Sequence, residues 1–320
     1  MYKIRFSNVC AHDTLIPKKT QGGMRVKRTA FFKYLAALLL FGSNGVAATG
    51  VALPSGAIVL ARSALGAVTL SAVLCLTGRR PALRLGQAAP ALASGACLGL
   101  NWLCLFAAFR LIGVGTATLL GYCGPVLVLA LSALLFHERL TPARLAGIGA
   151  VLCGVVLLNG AASGESALGV VLGLLAAVFY AAMLLLGRQT SGDPGAETVL
   201  LRLVGAALVT AAAAHLRGEL SAFAGLGAAS WARLLWLGVV NTGLGCWLYF
   251  SAADRLPLHT VAVCGYLEPL SAVAFSAVLL GEPLTPAKLL GAALILGGAA
   301  FAELYRPARA ANRRVTGVSV

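Results

Sequence analysis

The chain has 320 residues, 59% hydrophobic and only 11% charged, with a mean hydropathy of +0.90. Soluble domains carry about 25% charged residues, so this chain cannot clothe a water-facing surface and needs a lipid bilayer as part of its solvent. Its formal charge of +15 does not point to nucleic acid, because the basic residues gather at the termini and in short breaks between apolar runs, where they set orientation in a membrane.

Residues 1–30 are polar and basic, with Lys18, Lys19, Arg25, Lys27 and Arg28 ahead of the first apolar run. Met24 offers a second start, so residues 1–23 read as a disordered tail or as a mis-called beginning. Ten apolar runs follow, near 31–53, 56–77, 89–109, 113–136, 143–160, 167–187, 196–214, 231–252, 258–280 and 287–304. Each approaches the roughly 20 residues that a spanning helix needs. Residues 306–320 form a second basic tail.

One segment is written twice. Gly121-Tyr-Cys-Gly-Pro125 leads to Ser132 and Glu138-Arg-Leu-Thr141, and Gly265-Tyr-Leu-Glu-Pro269 leads to Ser276 and Glu282-Pro-Leu-Thr285. Fourteen of 27 positions from 121–147 and 265–291 are identical without a gap. The runs therefore divide into two sets of five, 31–160 and 167–305. An odd number of spans per copy inverts the second copy in the bilayer, the geometry of alternating access. The charges agree with that count. With a cytoplasmic N-terminus, inside segments hold 19 Lys and Arg against four outside, which predicts ten spans with both termini inside.

The duplicated Pro-containing span ending in Glu-x-Leu-Thr, together with Phe41-Gly-Ser-Asn44 in the first span and Arg62 in the second, resembles the EamA-type members of the drug/metabolite transporter superfamily over residues 31–305. The resemblance implies an all-α polytopic membrane protein of ten transmembrane helices, two inverted five-helix repeats around a central cavity. It also implies export of small metabolites such as amino acids.

Several polar residues lie inside the apolar runs. Glu268 is near mid-membrane, where a carboxylate is costly and should face the bundle interior or a watery cavity; its first-half counterpart is Gly124. It reads as a proton-coupling group, as a partner for a substrate ammonium, or as a protonated structural acid. Arg62 and Arg202, expected near opposite membrane faces, read as ligands for a substrate carboxylate, as alternating gates, or as snorkelling side chains. Glu138 and Glu282 read as caps on the helices that follow them, where Thr141-Pro142 and Thr285-Pro286 fit an N-cap and first-turn proline. Pro125 and Pro269 should kink their helices. Tyr122 and Tyr266 flank those kinks symmetrically, and with Asn44, Trp102 and Trp247 they are candidates to line the cavity. Asn101, Asn241, Tyr180 and Tyr249 are further cavity candidates.

The eight cysteines form no CxxC, and no His stands at ligand spacing. They read as small buried hydrophobes, with no metal or cofactor expected. The expected function is secondary transport of a small molecule across the cell membrane, a bacterial inner membrane, with proton coupling and a homodimer left open. The competing readings are an intramembrane enzyme and a non-transporting scaffold. His12, His137, His215 and His259 lie in no HExxH, and no GxSxG or GxxxxGK[ST] occurs, which speaks against catalysis or an intrinsic ATPase.

Overall fold

Every one of the ten apolar runs holds a helix, and four of those helices are broken. The protein is described by a computed structural model over residues 20–78, 85–128, 130, 141–161, 166–187, 196–253 and 255–304. Glu138, Ser132 and most of both tails lie outside the described residues. Among those described, no strand occurs.

The first run is α1 (Thr20–Gly42) and α2 (Asn44–Thr49), separated at Ser43. α3 (Ser55–Leu76) and α4 (Leu85–Ile112) follow, then α5 (Val114–Gly121) and α6 (124–128), which part at Tyr122 and Cys123. α7 (Pro142–Ala161) completes the first set. The second set opens with α8 (Ala167–Gly187) and α9 (Ala196–Leu216), then a 3₁₀ turn at Glu219–Gly225. α10 (Ala228–Leu235) passes into a π-helix, Trp236–Leu244, and on into α11 (Gly245–Ala253). α12 (Leu258–Gly265) and α13 (Leu267–Leu280) part at Tyr266, and α14 (Pro286–Leu304) ends the set.

Local chemistry explains the punctuation. Thr141 and Thr285 accept the Arg144 and Lys288 N–H at 3.3 and 3.2 Å, so each caps the helix that a proline opens. Gly113 and Gly281 adopt φ of +77° and +70°, conformations that a side chain would strain, and each ends or begins a helix there. Pro125 and Pro269 sit in the first turns of α6 and α13, where an N–H would have no helical acceptor,.

Among the described residues, seven helices are long and apolar enough to cross a membrane, and three shorter apolar ones accompany them: Val114–Val128, Pro142–Leu158 and Pro286–Ala302. The molecule is a multi-pass membrane protein. Small residues set its close crossings. On α7 and α14, Gly147 faces Gly298 while Gly154 faces Gly291, an antiparallel contact without side chains in the way. α4 crosses α8 antiparallel as well, Asn101 donating to Ala176 O at 2.7 Å and Ser94 to Met183 O at 2.9 Å. The main buried cluster, with Ile58, Val59, Val114, Leu119, Leu120, Leu234 and Leu237, joins elements of both sets.

Candidate functional site

The broken helices converge on the bundle's interior, where polar side chains meet the backbone they leave exposed. Asn241, in the π-helix and fully buried, turns its amide nitrogen toward the break in the first run, 3.0 Å from Leu40 O, 3.0 Å from Ser43 Oγ and 3.1 Å from Asn44 Oδ1. The neighbouring Thr242 donates to Leu237 O at 2.8 Å, an acceptor of the widened π turn. π-helices are rare and gather at functional sites.

Two cavities adjoin this junction. The first, about 150 Å³, reaches Thr118, Tyr122, Pro125 and Tyr180. The second, about 210 Å³, reaches Arg202, Thr242, Cys246 and Tyr249. Phe41, Asn44, Arg62, Leu98, Trp102 and Glu268 line both, so these six form the partition between them. Arg62 is only 2% exposed. Its Nε donates to Thr242 Oγ1 at 3.3 Å, and its guanidinium carbon stands 4.1 Å from the Trp102 ring centre and 5.1 Å from that of Phe106. Aromatic faces attract a desolvated cation. Tyr122 and Glu268 line the first cavity together, and Arg62 stands with that carboxylate on the partition. The partition thus carries one guanidinium and one carboxylate between aromatic walls.

Two glycines permit this approach. A Cβ on Gly42 would strike Ser271 Oγ and Glu268 O, so its absence brings the break of the first run against α13. Gly124, the counterpart of Glu268, lies beneath the Tyr180 ring with no room for a side chain.

Of the residues singled out from sequence, Glu268, Asn44, Trp102 and Arg62 stand on the partition, Tyr122 and Pro125 on the first cavity, and Arg202 on the second. Arg62 and Arg202, expected near opposite faces, line the same second cavity. Tyr180 and Asn101 line the first cavity and Tyr249 the second. Tyr266 and Trp247 line neither: Tyr266 packs against the main core, and Trp247 lies 5.1 Å from Lys33 Nζ. Pro269 is buried away from both cavities. Thr242, Phe106 and Thr118 were not singled out from sequence. Thr242 carried a signal, because Asn241-Thr242 is a polar pair in mid-run; nothing distinguishes Phe106 from a core residue until the fold places it under Arg62.

One end of the bundle is tied across its helices. Glu282 accepts the Val114 and Gly115 N–H at 2.5 and 3.0 Å and pairs with Lys288 Nζ at 3.1 Å. It is therefore a cap, but on α5 rather than on the helix that follows it. Glu219 accepts the Ala57 N–H at 3.0 Å, Arg233 donates to Gly50 O at 2.6 Å, and Arg110 donates to Leu53 O. Among the described residues, no three His, Cys, Asp or Glu side chains group to hold a metal.

The sequence matches the EamA-like transporter family twice, over residues 28–160 and 167–303. It is 26% identical to the uncharacterized transporter YxxF of Bacillus subtilis (strain 168), covering 89% of this chain and 92% of that protein. It is 30% identical to a probable amino-acid metabolite efflux pump of Salmonella typhimurium (strain LT2), over 61% of this chain and 69% of that one. It is also 29% identical to the aromatic amino acid exporter YddG of Ancylobacter novellus, over 62% and 70%. A crystal structure of a protein with 22% identity superposes with a TM-score of 0.59, covering 87% of this chain and 98% of its own; that likeness speaks to the fold.

Proposed function

Because the chain belongs to the EamA-like transporter family, we propose that it exports a small metabolite bearing both an ammonium and a carboxylate, an amino acid or close relative, by alternating access. It is a membrane transporter and not an enzyme. The observation that carries the finer reading is the partition, where Arg62 and Glu268 line the same two cavities between Trp102, Phe41 and Phe106. A zwitterion presents the opposite charges to such a pair, and the aromatic walls suit an apolar side chain.

Alternating access is supported by two features. The tied end, with Glu282, Glu219, Arg233 and Arg110, lies at the starts of α3 and α5. The second cavity runs instead toward Met183, Val199 and Phe250, near the opposite ends of α8, α9 and α11. One end tied and the other hollow is what one half of a transport cycle requires. The reciprocal contact of Gly147 on Gly298 and Gly154 on Gly291 supports ten spans in two inverted repeats, since exchanging equivalent residues of the repeats maps each contact onto the other. Both cytoplasmic termini rest on the positive-inside count, and the outward direction on the likeness to relatives named as an efflux pump and an exporter. Glu268 is proposed as the proton-carrying group, the one carboxylic acid among the described residues that line the two cavities.

Counterflow in proteoliposomes tests the substrate class. Vesicles loaded with one L-amino acid of a panel should exchange it for the labelled compound outside, and the amine or carboxylate alone should exchange less. A panel exchanged no faster than by empty liposomes sinks this reading. Reporter fusions at Ser163 and near Val320 should give opposite signals; matching signals would remove the inverted arrangement.

A further inference from the structure

We infer that the second cavity is a separate station for an organic anion, held at Arg202, through which a ligand carboxylate passes on its way to or from Arg62. The inference deepens the transporter reading and rests on it for the passage, though not for the binding. Its basis is a charge that the described residues lining the cavity do not balance. Three ionisable side chains of fixed sign line this cavity, Arg62, Arg202 and Glu268, two cations against one anion. Glu268 is shared with the first cavity.

The two arginines hold equivalent places in the repeats, within Val59-Leu60-Ala61-Arg62 and Val199-Leu200-Leu201-Arg202, yet their surroundings differ. Arg62 is bonded to Thr242 and stacked on Trp102. Arg202 Nε is buried without an acceptor among the described residues. Its guanidinium lies over Gly187 of α8, where any Cβ would collide with Nη2. The glycine leaves room for the cation but supplies no countercharge.

A guanidinium in an apolar bundle is costly unless an anion or several acceptors compensate it, by several kcal/mol when left buried and unpaired. It presents a planar fork that suits a carboxylate. Beside the polar Asn44, Thr242 and Tyr249, most of the remaining wall is apolar, with Leu98, Met183, Val199, Leu203 and Phe250, so the fitting ligand is a carboxylate on a hydrophobic body. Because Arg62 lies on the wall common to both cavities, a carboxylate leaving Arg202 meets a second guanidinium before the first cavity, without crossing an uncompensated stretch.

Cys246 lines the second cavity and not the first, so its alkylation reports on occupancy. In a chain keeping Cys246 alone, with the other cysteines changed to alanine, benzoate should slow alkylation by N-ethylmaleimide. Benzamide and benzylamine, with the same ring but no negative charge, should not. Arg202→Gln should raise the half-protecting benzoate concentration about tenfold or more, the loss expected for one charge-assisted hydrogen bond, with each chain measured against its own rate without benzoate. Equal shielding by benzamide in the parent chain overturns the proposal, as does undiminished shielding by benzoate in Arg202→Gln. The benzamide comparison needs no variant at Arg202, so a misfolded Arg202→Gln does not protect the idea. Counterflow without shielding would leave the transporter and remove the station; shielding without counterflow would leave an anion site and remove the transporter reading.

Discussion

The two repeats share their frame and differ in their charges. Tyr122 and Tyr266 each stand at a helix break, with Pro125 and Pro269 in the first turn beyond. Thr141 and Thr285 cap equivalent helices, and Gly147 against Gly298 with Gly154 against Gly291 builds one antiparallel crossing. Against that likeness stand Gly124, sealed under Tyr180, and Glu268, open to both cavities. Arg62 and Arg202 differ in the same way, one bonded and stacked, the other without an acceptor at Nε among the described residues. The helix breaks and crossings match, while the cavity lining differs in its charges and in the partners of equivalent residues. A duplicated scaffold can move symmetrically while its lining reads an asymmetric molecule.

The largest effect should come from removing the unmatched charge. Glu268→Gln keeps the shape and hydrogen bonding of the side chain but releases no proton near neutral pH. If Glu268 carries the proton, gradient-driven accumulation should be abolished while exchange across the membrane persists. Loss of exchange as well would assign the carboxylate to a substrate ammonium. Accumulation at the wild-type rate would break the comparison, since the charge that separates the halves would then be dispensable.

Transplanting that charge should fail. Gly124→Glu in the Glu268→Gln chain should not restore accumulation, because the Tyr180 ring fills the space. Overpacking should also lower stability by about 1–3 kcal/mol, measurable as a fall in Tm in detergent. Restored pumping would mean that the two positions are interchangeable.

The shared frame predicts equality where the lining predicts contrast. Gly154→Leu and Gly298→Leu each intrude on the α7–α14 crossing at equivalent places, and each should cost about 1–3 kcal/mol, with Tm falls that match. A fall in only one variant would show that the crossing is not balanced. The smallest effect is expected at the tied end. Glu282→Ala leaves the Val114 and Gly115 N–H without their carboxylate, a loss of about 1 kcal/mol. Thermal unfolding should register it as a small shift; an unchanged Tm would show that water replaces the cap at no cost.

Much of this was legible in the chain because it depends on local chemistry. Apolar length places a helix in lipid, Thr-Pro marks a helix start, and a repeated segment at fixed spacing marks a duplicated unit. Glu268 stood out for a similar reason, since a carboxylate inside an apolar run is costly wherever its helix packs. The breaks were harder to read. Pro125 and Pro269 pointed to two of them, but the first run parts at Ser43 and the eighth becomes a π-helix at Trp236–Leu244. Neither has a proline at the break, and both rely on bonds from another helix, such as Asn241 to Leu40 O.

By itself the sequence determined that this protein lives in a membrane as a bundle of apolar helices, that it was built by duplication, and that an acid and two arginines are held within it. Those properties follow from composition, period and repeat, which need no knowledge of neighbours. Only the tertiary structure decided which of the polar residues share a cavity. Glu282 reaches α5 from the far end of the chain, Trp247 and Tyr266 line neither cavity, and Arg62 and Arg202 line the same one. Helix period sets the face a residue occupies on its own helix, but which helix covers that face depends on how small residues such as Gly42 and Gly187 let neighbouring backbones and side chains approach,.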